Sequence, residues 1–389
     1  MADRGKMTYT LKHQILDFRG PIGNLEFSSC GSWIAASVGS QLSLWDVQSG
    51  KLFHSHDGRE PPIFVRWLPL DNAVYCMFRD GWLLMVRLDS KAQHITTKGF
   101  PTNPSESGAL HESGLWLALC SGSATTIWHR PSLKEFGWTP LSTFNLPKYI
   151  IRDGEHIIAQ HVFWANAQQV VICYKHHGII TELGTGQIPN LQSRQSQNFP
   201  HKCTEITFPF CLRHSTDRHI STGACSFCGV DGFRIAIAFL DKILVFEQQG
   251  ASLRSVNTYT VGREECNPTA CPLTFIHGGR HIFYGGLQEA VAGRMNGKRL
   301  QTFPHNENET GEDGISSVAG AHSPNGILRL VTARGGTINI WETAQLWPGV
   351  DAKGISTHSS LHLLKYVTVS TILGVIVTAL AGVLLHLIM

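Results

Sequence analysis

Two cysteines separated by two residues, Cys225 and Cys228, have the spacing in this chain that best suits metal or redox chemistry. Thiolates at this spacing bind zinc when a second pair of ligands approaches, and they also form the reactive pair of redox proteins. The nearby residues that might supply a second pair are irregularly spaced: His201, Cys203, Cys211, His214 and His219. Because a regular second pair is missing, the sequence predicts ordinary reduced thiols here.

The rest of the sequence contains none of the short motifs that indicate an enzyme. Neither a Gly-x-Ser-x-Gly elbow, a P-loop, a dinucleotide fingerprint nor a His-Glu-x-x-His motif occurs. The sequence therefore predicts a non-catalytic protein with no cofactor and no metal. The net charge is +3 and no long basic run occurs, so no nucleic-acid partner is expected.

The elements that hold these residues are short β-strands in a repeating unit. Residues 22–51 show three apolar runs, separated by a Ser-Ser-Cys-Gly turn and by a turn at Gly39, and the third run ends at Trp45-Asp46. Residues 315–344 follow the same order and end at Trp341-Glu342. Short runs of this kind between turn residues indicate antiparallel strands.

These two copies resemble the WD-repeat family, whose repeats end in Trp-Asp or a variant of it. Five weaker copies lie between them, at residues 64–88, 110–128, 161–183, 223–247 and 273–297. The resemblance covers residues 7–346 and implies an all-β fold, a single seven-bladed β-propeller. Most copies lack the Gly-His pair of the family.

The N-terminal run is expected to close the ring. The last copy has only three strands, whereas residues 7–17 form an apolar run without an inner partner. Adding this run as the outer strand of the last blade removes an open sheet edge.

Several residues at repeat ends are expected to be structural. Trp45, Trp128 and Trp341 end third strands and should pack between neighbouring blades, beside Asp46 and Glu342. Asp80 and Asp241 precede third strands, and the resemblance implies that an Asp there orders the tight turn.

The C-terminal segment, residues 366–389, contains 24 residues without a formal charge. A helix of this length reaches across a bilayer core of about 30 Å. Lys353 and Lys365 precede the segment, which favours a cytosolic N-terminal domain. The sequence thus predicts a tail anchor after a linker at residues 347–365, in the endoplasmic reticulum or the mitochondrial outer membrane.

One face of this predicted helix carries small residues four positions apart: Ser370, Gly374, Thr378 and Gly382. Such a stripe lets two helices approach closely and form a homodimer. The same residues are also common in membrane helices that do not associate, and both interpretations stay open.

Two connections stand out by their composition. Residues 184–221 are long for a blade connection and rich in Gln, Ser and Asn, which suits either a binding loop or a spacer. The acidic run of residues 305–313 is expected to be a solvated connection.

Two functions follow from these features. The first is a membrane-tethered scaffold that binds other proteins, which is the usual role of the resembling family. The second is nucleotide exchange on a small GTPase, because a propeller followed by a membrane helix looks like the exchange-factor family of the endoplasmic reticulum that starts COPII coat assembly. That family carries a glycine-rich, potassium-binding loop in its first blade, whereas residues 38–41 here predict a tight turn.

Overall fold

The computed structural model describes residues 8–16, 20–68, 72–88, 95–133, 135–145, 159–166, 169–174, 177–182, 202–207, 222–227, 233–239, 242–249, 252–260, 271–277, 279–305, 314–322 and 327–343. None of these residues belongs to a helix long and apolar enough to cross a membrane. The predicted linker and membrane segment, including Ser370, Gly374, Thr378 and Gly382, lie outside the described residues.

The described residues form β-strands that assemble into seven four-stranded antiparallel sheets. The chain begins with β1 (Tyr9–Leu16). The first sheet comprises β2 (Ile22–Phe27), β3 (Trp33–Val38), β4 (Gln41–Asp46) and β5 (Leu52–Asp57). The second comprises β6 (Pro62–Leu68), β7 (Ala73–Phe78), β8 (Trp82–Leu88) and β9 (Ile95–Pro101). The third comprises β10 (Ser107–Leu110), β11 (Trp116–Ser121), β12 (Ala124–His129) and β13 (Thr139–Asn145).

The remaining sheets follow the same order. The fourth comprises β14 (Ala159–Asn166), β15 (Gln169–Tyr174), β16 (His177–Glu182) and β17 (Lys202–Thr207). The fifth comprises β18 (Thr222–Phe227), β19 (Phe233–Phe239), β20 (Lys242–Gln249) and β21 (Ser252–Thr260). The sixth comprises β22 (Leu273–Ile276), β23 (His281–Gly285), β24 (Glu289–Arg294) and β25 (Arg299–Pro304). The last contains β26 (Ile315–His322), β27 (Leu328–Arg334) and β28 (Thr337–Thr343).

The sheets stand around a ring. The inner strand of each sheet contacts the inner strands of its two neighbours, and β26 of the last sheet contacts β2 of the first. This arrangement is a β-propeller, so the prediction of an all-β propeller is confirmed.

The N-terminal strand completes the last sheet, as the sequence predicts. β1 pairs with β28 in an antiparallel register that runs from Tyr9 opposite Thr343 to Leu16 opposite Thr337. Without β1, β28 would present a row of unpaired backbone groups, which is a template for aggregation.

The core lies between neighbouring sheets because the inner three strands are buried on both faces. Side chains alternate along a strand. Along β3, Ile34 and Ala36 pack against the last sheet, whereas Ala35 packs against the second sheet. Nearly continuous apolar runs such as Ala73–Phe78 follow from this double burial.

The predicted insertion at residues 184–221 is not a single connection. Lys202–Thr207 within it forms β17, the outer strand of the fourth sheet, which pairs with β16. The polar composition concealed this strand because an outer strand in a propeller is largely solvated, as β5 also shows.

Candidate partner-binding surface

The ring has two faces, which carry different turns between the strands. The turn face carries the turns between second and third strands, beside the starts of the inner strands. There Ile22 N donates to Gly335 O (3.0 Å) and Ile315 N donates to Gly286 O (2.8 Å). The third strands end at the opposite face. Because β28 ends there at Thr343, the last described residue, we name it the exit face.

On the turn face, a tight turn joins β7 to β8 and presents a tryptophan. Asp80 accepts a hydrogen bond at Oδ1 from Trp82 N (3.1 Å), and Gly81 N donates to Phe78 O (3.0 Å). Gly81 has a φ of +91°, a backbone conformation that glycine adopts without strain. The predicted residue Asp80 therefore lies in the turn and directs the chain into Trp82.

Trp82 is 40% exposed, and its side chain contacts the neighbouring strand β9 at Gly99. A Cβ atom built at Gly99 would collide with the Trp82 indole ring, so the ring covers the glycine directly. The next turn is tied to the same place, because Thr102 N donates to Gly81 O (2.7 Å). Part of Trp82 is thus exposed to solvent, and its ring is in contact with the backbone of β9 at Gly99.

Exposed charged residues lie on the same face in the turn before Trp82 and in the connection that is bonded to it. Arg79 and Asp80 precede it in the turn, and both are exposed. Arg59 and Glu60 are also exposed, and the chain following them is attached to the turn because Arg79 N donates to Pro61 O (3.1 Å). We name Trp82 with Arg59, Glu60, Arg79 and Asp80 the Trp82 platform.

The Trp82 platform has the composition of a protein-binding site. Tryptophan and arginine carry much of the binding energy in protein interfaces, and rigid aromatic anchors lose little entropy on binding. Sequence reasoning identified Asp80 and missed Trp82. The sequence signal for Trp82 was a large aromatic residue directly after an Asp-Gly turn. The first position of a strand after such a turn is usually exposed, so an aromatic residue there is unusual.

The three predicted tryptophans lie inside the ring. Trp45 is 2% exposed and packs in the cluster between the first and last sheets. Trp128 packs between the second and third sheets, and Trp341 packs between the sixth and last. In this position their bulk fills the gap between adjacent sheets.

Asp46 and Glu342, the residues after two of these tryptophans, act on the exit face. Asp46 Oδ1 accepts bonds from Ser49 N and Ser49 Oγ (both 2.7 Å), which orders the turn before β5. Glu342 pairs with Arg329 Nε (2.8 Å). Asp241, which the sequence also singles out, lies outside the described residues.

The Glu342 pair belongs to a contact that joins neighbouring sheets. Arg329 also donates through Nη1 to Gly31 O of the first sheet (2.6 Å). In the fifth sheet Arg234 pairs with Glu247 (2.7 Å) and donates to Gly279 O of the sixth (3.0 Å). A carboxylate at this position therefore holds an arginine that reaches the next sheet.

His305 differs from its prediction. The sequence placed it in a solvated acidic connection, yet it is 4% exposed and contacts Thr332 Oγ1 at 2.6 Å. Thr332 in turn accepts a bond from Trp341 Nε1 (3.3 Å). Burial, and next the Arg334 charge, lower the pKa of His305 to about 4. The residue is thus a neutral core histidine.

An ion pair joins two neighbouring inner strands, β2 and β6. Arg66 Nη1 lies 2.9 Å from Glu26 Oε1, and Trp67 N donates to Glu26 Oε2 (2.9 Å). Burial raises the pKa of Glu26, although Arg66 and the Trp67 N–H act in the opposite direction. The arrangement fits a structural link between β2 and β6.

The cysteine pair of the sequence is only partly described. Cys225 lies in β18, and Cys228 lies outside the described residues. Within the described ranges, no group of three His, Cys, Asp or Glu side chains is placed to hold a metal ion.

Comparisons with models of known protein families and with curated proteins find no match to this chain. The functional argument therefore depends on the fold and on the geometry of its surfaces.

Proposed function

We propose that this protein is a membrane-tethered, non-catalytic scaffold of the WD-repeat type that binds other proteins through the Trp82 platform. The observation that carries the proposal is a supported, 40% exposed tryptophan among exposed charges on a rigid ring. A β-propeller presents such a surface without needing to order it on binding, which reduces the entropic cost of association.

The WD-repeat assignment is supported by three tryptophans at third-strand ends and by a last sheet that the N-terminal strand completes. The resemblance of residues 22–51 and 315–344 to that family adds to this support. Fold alone does not specify a partner, so the partner is assigned here only by class.

The tether is supported by the uncharged segment at residues 366–389. β28 ends at Thr343 on the exit face, whereas the Trp82 platform lies on the turn face, so a tether that follows β28 leaves the platform accessible to partners beside the membrane. Confinement to one surface raises the effective concentration for partners on that surface. The endoplasmic reticulum and the mitochondrial outer membrane both suit such a tail.

Proximity labelling in cells tests the binding surface. The intact chain is compared with Trp82→Ala and with Leu141→Ala, a matched control because Leu141 is also 40% exposed but lies on the outer strand β13. We expect Trp82→Ala to lose a set of labelled proteins that Leu141→Ala keeps. If both variants label the same proteins as the intact chain, Trp82 does not form the binding surface.

Carbonate extraction tests the tether. We expect the full chain to stay with the membrane pellet and a chain ending at Lys353 to move to the soluble fraction. A full chain that carbonate releases would contradict membrane insertion.

Nucleotide exchange on a small GTPase has no specific observation in its favour. The connection between β3 and β4 consists of Gly39 and Ser40 alone, since Val38 pairs directly with Gln41. A nucleotide-release assay with candidate GTPases separates the two functions, because a scaffold leaves the release rate unchanged.

A further inference from the structure

The exit face of the sixth sheet concentrates positive charge. Arg280 lies in the turn before β23, Arg294 ends β24, and Lys298 lies in the turn before β25. All three side chains are exposed. We name these three residues the exit-face basic patch.

Arg280 and Arg294 lie close to His281, whose side chain is on the face of β23 that packs against the last sheet. His281 and Arg294 are directly opposite each other on β23 and β24. By alternation they share the face of Phe283 and Ala292, which pack against the last sheet. Burial, then Arg294 and Arg280, lower the pKa of His281 to about 4. The imidazole is therefore neutral at neutral pH. The positive charge of the patch comes from the two arginines and Lys298 alone.

Acidic side chains near the patch are occupied elsewhere. Among the residues that the structure describes, no carboxylate forms an ion pair with Arg280, Arg294 or Lys298. Glu342 of the last sheet pairs with Arg329 on the side of the first sheet, and Glu289 starts β24 at the turn face. Within the described part of the chain, no carboxylate thus neutralises the positive charge of the patch.

The patch lies near the end of β28. Thr343, the last residue of β28, is opposite Tyr9 of β1. Tyr9 Oη lies 2.9 Å from His277 Nε2, and the His277 ring lies 4.7 Å from that of His281. The end of β28 is therefore connected to Arg280 and Arg294 through the side chains of Tyr9, His277 and His281.

We infer that the exit-face basic patch binds the anionic lipid headgroups of the membrane that holds residues 366–389. The inference rests on the proposed tether. Its own evidence is an exposed cluster of three cations that has no acidic partner among the described residues and lies near the end of β28, the last described strand before the uncharged segment in sequence. Contact with the membrane at this face points the Trp82 platform away from the bilayer.

The expected strength follows from the surface potential of anionic membranes. Each lysine or arginine near such a surface favours contact by a factor of about five, so the two arginines together contribute roughly 30-fold. The attraction is electrostatic, so it weakens at high salt.

The test uses the full chain reconstituted into vesicles of phosphatidylcholine alone or of phosphatidylcholine mixed with phosphatidylserine. Flotation first measures insertion, which reports on the tether alone. Acetylation of lysines, followed by mass spectrometry, then measures access to Lys298. Lys98 on β9, an exposed lysine of the second sheet, serves as the internal reference.

We expect acetylation of Lys298 to slow at least about fivefold on phosphatidylserine vesicles, to recover at high salt, and to leave Lys98 unchanged. The double substitution Arg280→Ser, Arg294→Ser should restore Lys298 access, whereas the matched pair Arg59→Ser, Arg79→Ser on the turn face should not.

Equal access to Lys298 on both vesicle types, with flotation intact, overturns the patch and leaves the tether standing. Protection on both types alike also overturns it, because steric cover would then explain the result. Failure to float with phosphatidylcholine vesicles refutes the tether instead. In that case, salt-sensitive flotation with phosphatidylserine that the arginine substitutions abolish would support the patch alone.

Discussion

At the scale of single residues, burial separates side chains of the same type. Trp45 is 2% exposed between two sheets, whereas Trp82 is 40% exposed above Gly99. Both tryptophans lie in a third strand, at its end and at its start respectively. The first contributes to the free energy of folding, and we propose that the second offers its area to a partner.

Substitution of these two tryptophans should therefore change stability by very different amounts. Trp45→Ala leaves a cavity between sheets and should lower the free energy of unfolding by about 3–5 kcal/mol. Trp82→Ala removes a surface side chain and should change it by less than about 1 kcal/mol. Urea unfolding followed by fluorescence measures both, and similar losses for the two variants would contradict the assigned roles.

His305 should make stability depend on pH. Its pKa in the folded protein is about 4, below the ordinary value of 6.5. The unfolded chain therefore binds a proton between these values that the folded chain does not, and stability falls as the pH falls from 6.5 towards 4. The full difference corresponds to about 3 kcal/mol.

Urea unfolding between pH 7.5 and pH 4.5, compared for the native chain and His305→Gln, tests this dependence. The variant should be less stable at pH 7.5 because it loses the bond to Thr332. Its stability should also fall less steeply on acidification. Parallel curves would show that His305 does not titrate as its burial requires.

At the scale of elements, short turns decide where side chains point. The turn between β7 and β8 places Trp82 outward because Asp80 caps it and Gly81 supplies a positive φ. A Cβ atom at Gly81 would lie 2.6 Å from Thr102 O, a backbone atom of the adjoining connection. A Cβ atom at Gly99 would instead meet the ring of Trp82, a partly exposed side chain rather than backbone.

Two glycine substitutions separate these roles. Gly81→Ala should lower the free energy of unfolding by about 1–3 kcal/mol, because it forces a strained backbone conformation against a fixed neighbour. Gly99→Ala should cost less, since the indole moves, yet it should reduce partner labelling as Trp82→Ala does. Thermal unfolding and proximity labelling measure the two outcomes. Loss of stability with Gly99→Ala equal to that with Gly81→Ala would indicate that the Trp82 ring is held more firmly than proposed.

At the scale of the whole molecule, the ring depends on a contact between its two ends. β1 and β28 are distant in sequence and pair along their full length. Tyr9 and Ile15 of β1 are 6% and 5% exposed, so the closing strand also contributes to the core. With β1 in place, each of the seven sheets in the described part of the chain has four strands.

Deletion of residues 1–17 should open the ring. The last sheet would lose its outer strand, two buried side chains would be missing, and β28 would become a free edge. We expect a lower thermal midpoint and aggregation in size-exclusion chromatography. Leu11→Ser on the same strand is the control, because Leu11 is 50% exposed. A deleted chain that stays monomeric with an unchanged midpoint would contradict closure by β1.

Local patterns in the sequence were sufficient for much of the architecture. Alternating apolar runs and turn residues predict strands, and the spare strand at residues 7–17 predicts its place in the last sheet. The strand β17 was missed because outer strands carry polar side chains, and no apolar run marks them. His305 was misjudged because acidic neighbours suggested a solvated connection, whereas it directly follows β25 and packs against Thr332 in the core.

The sequence by itself determined the repeating β architecture and the uncharged segment at residues 366–389, because both follow from the order of apolar and polar residues along the chain. Only the tertiary structure decided which residues share a surface. The ring of Trp82 contacts Gly99, and Arg280 and Arg294 lie close to His281. Arg329 donates a hydrogen bond to Gly31 of the first sheet. These are contacts between distant positions, and their geometry depends on how the sheets pack around the ring.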